Sequence, residues 1–166
     1  MSTETQTQTQ TETTMQSAAR TFFSASHFAV AGASSNPSKF GHKIFAWYLA
    51  HKLSAIPLNP GSSSISVSGT SYTTVSSPSK LSDPANTSLS VITPPKMTRE
   101  LLKEAKEAGV KAVWLQPGRF GDEELEFALR EWDGAAVGGF AEGTRGGEGW
   151  CVLVDGERAM RAAGKL

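Results

Sequence analysis

The sequence predicts an α/β fold, a doubly wound and mostly parallel sheet of about five to six strands flanked by helices in three layers. Three observations carry this. From about Thr21 onward, short apolar runs alternate with amphipathic helical patterns, as in successive βα units. The clearest run, HFAVAGA at 27–33, is compact and apolar, as expected of a strand buried on both faces. The runs end in Gly, Pro, Ser or Asn, residues that turn a chain sharply out of a strand.

The first 18 or so residues, MSTETQTQTQTETTMQSA, are rich in Thr, Gln and Ser and offer almost nothing to bury. Ordering them would go uncompensated, so 1–20 is expected to be a disordered tail and 21–166 a single domain. Those first 18 residues have no apolar core region and no basic residues, which argues against a secretory or transit signal.

The first strand, 27–33, is followed by a helix over 41–52, where Ile44, Phe45, Tyr48 and Leu49 recur at spacings of three and four behind the start signal Pro37-Ser38. SAIPLN at 54–59 reads as a second strand, weakened by Pro57, which has no amide to donate, and stopped by Pro60. GSSSISVSGTS at 61–71 reads as a mobile Ser/Gly-rich loop, with a brief strand near 72–75 and a Ser/Pro-rich turn after it.

TSLSVIT at 87–93 is a third central strand closed by Pro94-Pro95, and Met97, Leu101, Ala105 and Ala108 form the stripe of the helix that ends at Gly109. Residues 110–115 make another strand, running into Gln116-Pro117-Gly118. A helix over 122–132 then buries Leu125, Ala128, Leu129 and Trp132 before Gly134. Residues 135–137 and 150–154 are expected edge strands, with the Gly-rich 138–149 as a loop between them and a short helix to finish.

With 166 residues, 16 basic and 16 acidic, the chain is long enough for one core and has no net charge. Without a clustered basic face, neither nucleic acid nor an anionic membrane surface is an expected partner. No stretch approaches the roughly 20 apolar residues of a spanning helix. The one cysteine, Cys151, excludes an internal disulfide and fits a reducing compartment, so a soluble, cytoplasmic protein is expected.

Ligands of an open parallel sheet collect at the carboxyl ends of its strands, where the winding reverses. The loops there are Gly32-Ala33-Ser34-Ser35-Asn36-Pro37, Asn59-Pro60-Gly61, Thr93-Pro94-Pro95 and Gln116-Pro117-Gly118-Arg119. Glycine allows close backbone approach, Ser and Asn supply hydrogen bonds, and the following helix directs its free amides outward, which suits a phosphate. The dinucleotide fingerprint G-x-G-x-x-G is absent: Ser34 stands where the second glycine belongs, and the next glycine is Gly41. Nor does the second strand end on an acid, since Leu58-Asn59-Pro60 stands where NAD's ribose is usually held. NAD is thereby disfavoured, and NADP remains an alternative.

The segments FAVAGASSNPSKFG, PLNP, the strand leading to TPP, and KAVWLQPG before a helix occur together in this order. Over roughly 24–155 the chain resembles the small stand-alone CoA-binding domain proteins, Rossmann-like relatives of the CoA-binding domain of the succinyl-CoA synthetase alpha subunit. The resemblance implies coenzyme A as ligand. It implies that Gly32, Ala33, Ser34 and Asn36, in the loop that also holds Ser35 and Pro37, line the pyrophosphate. Asn59 and Pro60 would take the adenosine side, Thr93 and Pro94 the opposite wall, and Gln116 the far rim, with Lys39 serving a phosphate. Family members often carry a basic residue where this chain has Gly61, so a terminal 3′-phosphate lacks its usual cation there. The histidine-bearing second domain of the synthetases is not matched, and their ligase chemistry is not carried over.

Lys39, His42 and Lys43 lie at the amino end of the predicted helix, where they either meet an anion or are solvated surface charge. Cys151 reads as a buried strand residue, His27 and His51 as surface or strand-edge residues, and Trp47, Trp114 and Trp132 as core. No Cys/His spacing suggests a metal. Glu142, Arg145 and Glu148 sit in a Gly-rich segment that is either a lid or a surface loop. The expected function is binding of coenzyme A or an acyl-CoA, without catalysis by this chain. The alternatives are an NAD(P)-dependent oxidoreductase and a regulatory protein with a vestigial nucleotide site. A homodimer through an edge strand is compatible with all three.

Overall fold

The computed structural model of the chain describes residues 12–166. In chain order it contains α1 (Thr14–Phe23), β1 (His27–Ala31), α2 (Phe40–Ala50), β2 (Ala55–Leu58), β3 (Ser64–Val67) and β4 (Thr70–Thr73). Two 3-10 turns follow at Pro78–Lys80 and Pro84–Asn86. The chain continues with β5 (Thr87–Val91), α3 (Pro95–Ala108), β6 (Ala112–Leu115), α4 (Asp122–Glu131), β7 (Ala136–Val137) and α5 (Val152–Ala162).

Five strands form one parallel sheet in the order β2-β1-β5-β6-β7. Its register pairs Phe28 with Ala55 on one side and with Ser88 on the other, Leu89 with Val113, and Trp114 with Val137. The first crossover moves outward from β1 to β2, and the chain then returns across β1 to lay down β5. The winding therefore reverses between β1 and β5, the predicted doubly wound, Rossmann-like pattern.

Successive strand residues face opposite sides, so each strand feeds two cores. On one face, Phe28, Val30 and Trp114 pack with Phe22 and Phe23 of α1, Ile44, Phe45 and Tyr48 of α2, and Val152 and Met160 of α5. On the other, Ala29, Leu89, Val113 and Leu115 meet Leu101, Leu102 and Ala105 of α3 and Ala128 of α4, with Trp132 just beyond it. Trp114 and Trp132 are buried as expected, and Trp47 is half-buried with its ring 4.0 Å from that of His51. Among the described residues no helix is long and apolar enough to cross a membrane.

Three local expectations are corrected. The expected order boundary near residue 20 falls inside α1, which begins with a capping box: the Gln16 amide donates to Thr13 Oγ1 (3.1 Å) and the Thr13 amide to Gln16 Oε1 (2.9 Å). Behind the polar composition lies an apolar stripe of Met15, Ala18, Ala19, Phe22 and Phe23 at helical spacing, all buried. The rest of the expected tail, 1–11, lies outside the described residues.

The Ser-rich segment 61–71 is not a loop but contains most of an antiparallel hairpin, β3 with β4. Ile65 and Val67 are buried between exposed Ser64 and Ser66, the period-two signature of a half-buried strand. Ser68 and Gly69, both at positive φ, make the two-residue turn. Tyr72 packs edge-on against Phe45 of α2, their centroids 5.3 Å apart.

Residues 150–154 are not an edge strand: Cys151 is the N-cap of α5. Trp150 and Val152 point inward while Leu153 and Val154 are exposed, a helical alternation that a five-residue apolar run conceals. The Asp155 carboxylate, fully buried, accepts from the Cys151 amide (3.1 Å), the Arg145 amide (3.0 Å) and Thr144 Oγ1 (2.8 Å). Trp150 Nε1 also donates to the Ala141 carbonyl (2.9 Å), so the Gly-rich segment is fastened to α5 rather than hung free.

Candidate functional site

The carboxyl ends of β1 and β5 meet at the point of reversal, and Gly32 occupies it. Its φ is +97°, a conformation that side chains disfavour. A Cβ there would also stand 2.9 Å from the Ile92 carbonyl group, so the two loops approach as closely as two backbones can. Gly41, in the first turn of α2, is tighter still: a Cβ would fall 1.9 Å from the Gly32 carbonyl oxygen. The fingerprint spacing is absent, yet Gly32 supplies the sharp turn and Gly41 the close packing of helix on strand that fingerprint glycines provide.

The loop between these glycines is held largely by its own side chains. The Asn36 amide donates to Ser34 Oγ (3.1 Å), and Asn36 Oδ1 accepts from the Ser38 amide (3.0 Å) and hydroxyl (2.7 Å). Ser35 Oγ accepts from the Ser66 amide (2.9 Å), which ties the loop to the hairpin. Ser34 and Ser35 thus accept from backbone amides, which leaves their own hydroxyl protons free to donate elsewhere. Ala33 is buried, while Asn36, Pro37 and Lys39 are exposed at the rim. Lys39 is the N-cap of α2 and makes no side-chain cap there, and the first turn carries no acid. The positive end of the helix is left for an anion from outside.

At the end of β2, Asn59 works as a clamp. Its Nδ2 donates to the Ala33 carbonyl (3.0 Å) and its Oδ1 accepts from the Gly61 amide (2.8 Å). Pro60 borders two cavities, one of about 570 Å³ toward the hairpin and one of about 480 Å³ toward α3. Thr93 lies on the wall of the second, nearly buried, with its hydroxyl 2.8 Å from that of Thr98. Thr98 in turn donates to the Arg119 carbonyl (2.8 Å), joining the β5 and β6 loops. Pro94 is the N-cap of α3 and exposed.

The structure brings the Gly32 loop, Asn59, Pro60, Thr93 and Pro94 to one edge of the sheet. Gln116 stands apart. It is fully buried, its Nε2 donating to Ser90 Oγ (2.9 Å) and its Oε1 accepting from the Val152 amide (3.0 Å). One end of its amide is consumed by β5 and the other by α5, so it offers nothing to a rim.

Arg119, three residues on, carries what Gln116 does not. Its guanidinium carbon lies 5.6 Å from the Phe40 ring at the start of α2, and its Nε is buried without a partner. A planar cation from the β6 loop thereby reaches the start of α2. The signal was a single Arg in a Gly-rich turn, indistinguishable in sequence from surface charge. Beyond it, a cavity of about 600 Å³ lies between the β6 loop and the Gly-rich segment, with Phe120 and Phe140 on its walls.

Among the described residues no cluster of His, Cys, Asp and Glu is arranged to hold a metal. Burial pushes the Cys151 thiol up, away from the thiolate form that a nucleophile needs.

The sequence model of the CoA binding domain matches residues 26–142. A conserved hypothetical protein from Pyrococcus furiosus is similar at 30% identity, with a TM-score of 0.58 over 68% of this chain and 93% of that one. A Thermus thermophilus protein is similar at 28% identity and a TM-score of 0.60, covering 74% of this chain and 89% of its own. A hypothetical protein from Pyrococcus horikoshii, 23% identical with a TM-score of 0.58 over 74% and 80% of the two chains, shares the fold. No curated protein matches the chain.

Proposed function

The chain belongs to the CoA-binding domain family, and we propose that it binds coenzyme A or an acyl-CoA along the carboxyl edge of its sheet, as a binding module rather than an enzyme. The observation that carries this reading is the junction of Gly32 with Ile92 and Gly41, which brings bare backbone and the uncapped start of α2 together at the point of reversal. A diphosphate there takes the α2 amides and the hydroxyls of Ser34 and Ser35, with Lys39 on the solvent side. Asn59 and Pro60 flank the adenosine, Thr93 and Pro94 form the facing wall, and Arg119 closes over the phosphates from β6. The groups lining these loops are hydroxyls, amides, prolines and cations, which suit holding a ligand.

Calorimetric titration with coenzyme A, acetyl-CoA, NADP, NAD and ATP tests the proposal. Saturable binding of coenzyme A or acetyl-CoA, tighter than that of the other three, is expected. Absence of heat with either at millimolar concentration, or a preference for a nicotinamide nucleotide, would overturn it.

A further inference from the structure

The cavity at the end of β2 has a chemical character distinct from that of the loop beside it. Its walls include Asn59, Gly61, Ser62, Thr74, Ser76 and Lys80, with further hydroxyl-bearing residues and no carboxylate. The single charge on them is the Lys80 ammonium. Lys80 ends the 3-10 turn Pro78–Lys80, and its backbone is fixed by donation from its amide to the Ser77 carbonyl (3.0 Å). Among the described residues it has no ion-pair partner.

This cavity is coupled to the phosphate loop through Asn59, which bonds Ala33 on one side and Gly61 on the other. The Val75 amide and carbonyl also pair with Pro57 and Asn59, placing the segment that leads to Lys80 alongside β2. A ligand whose diphosphate rests on the Gly32 loop and whose ribose passes Pro60 therefore sets its next substituent among hydroxyls and one unpaired cation. An ammonium on a flexible stem is a point charge suited to a phosphate that needs no fixed orientation.

We infer that Lys80 binds an isolated phosphate on the ribose of the ligand, so that the chain selects a nucleotide bearing a ribose monophosphate over the same nucleotide without it. This rests on the nucleotide reading above and adds the residue that sets its specificity. The shared chemistry is a ribose monophosphate, 3′ in coenzyme A and 2′ in NADP.

The wild-type chain, Lys80→Met and Lys80→Arg are titrated with coenzyme A, dephospho-coenzyme A, NADP and NAD at one ionic strength. The wild type should bind coenzyme A about tenfold more tightly than dephospho-coenzyme A, the scale of one charge-assisted contact near the surface. Lys80→Met should bring coenzyme A down to the dephospho form and leave the latter unchanged, while Lys80→Arg keeps the preference. Because Lys80 is exposed, unchanged melting curves are expected for both variants. Equal affinities in the wild type, or a preference that survives Lys80→Met, overturn the inference and leave coenzyme A binding in place. A Lys80-dependent preference confined to NADP over NAD keeps the subsite and overturns the coenzyme A reading. No binding of any of the four overturns both.

Discussion

A methyl group on Gly41 would lie 1.9 Å from the carbonyl oxygen of Gly32, so the start of α2 rests directly on the turn that leaves β1. Gly41→Ala should push the helix off that turn. The expected cost is about 1–3 kcal/mol of stability, the range for overpacking, together with loss of most coenzyme A affinity. Denaturant melts and titration of the same preparation check this. Full affinity in a stable variant would show that the contact does not shape the site.

Arg119→Ala should weaken coenzyme A binding about tenfold, because it removes a guanidinium whose Nε has no protein partner. Arg119→Lys should rescue only part of that, since an ammonium cannot reproduce the planar fork over Phe40. A fall in melting temperature with unchanged affinity would assign Arg119 to packing alone.

Gln116→Leu should do the reverse. Replacing the amide by a side chain of similar size leaves the Val152 amide without an acceptor and Ser90 without its donor, all of them buried. A loss of about 2 kcal/mol is expected from denaturant unfolding, with coenzyme A affinity in the surviving folded protein changed less than twofold. A large loss of affinity without loss of stability would return Gln116 to the rim.

Alkaline pH should destabilise the protein. Burial pushes both the Cys151 thiol and the Tyr48 phenol up, so the folded chain keeps protons that the unfolded chain releases at roughly pH 8.5 and 10. Stability contributed by these neutral groups is complete below that window and falls as pH rises through it. The Tyr48 hydroxyl lies beside Ser90 but makes no hydrogen bond of acceptable geometry. Tyr48→Phe should therefore cost less than about 1 kcal/mol at pH 7 and flatten the decline above pH 9. Urea unfolding at pH 7, 9 and 10.5 measures both, and a wild-type curve flat to pH 10.5 would contradict the account.

The parallel sheet was legible because strands buried on both faces are written as short apolar runs, and the loops that follow them carry their own punctuation. What escaped reading had in each case a signal hidden by a stronger one. In β3 the alternation of Ile65 and Val67 was masked by surrounding serines, and in α1 the stripe from Met15 to Phe23 by threonine and glutamine. Trp150 to Val154 is too short for its period to decide between strand and helix. Within the site, the Gly32 turn was readable from a glycine at the end of an apolar run. The side-chain directions of Gln116 and Arg119 were not, because both stand in one turn and only the packing of α5 against β6 determines which of them is sequestered.

The placement of α1 and α5 bears on how the protein is divided for experiment. Family similarity spans 26–142, but both helices fall outside it and, with α2, cover the face of the sheet that carries Phe28 and Trp114. Cutting at the similarity limits would bare the part of that face not covered by α2, strip Gln116 of the amide it caps and remove Asp155 together with Thr144 and Arg145, which it binds. The smallest piece that refolds on its own is therefore set by burial rather than by homology, and a trimmed version should precipitate on expression where one retaining residues 12–163 stays in solution.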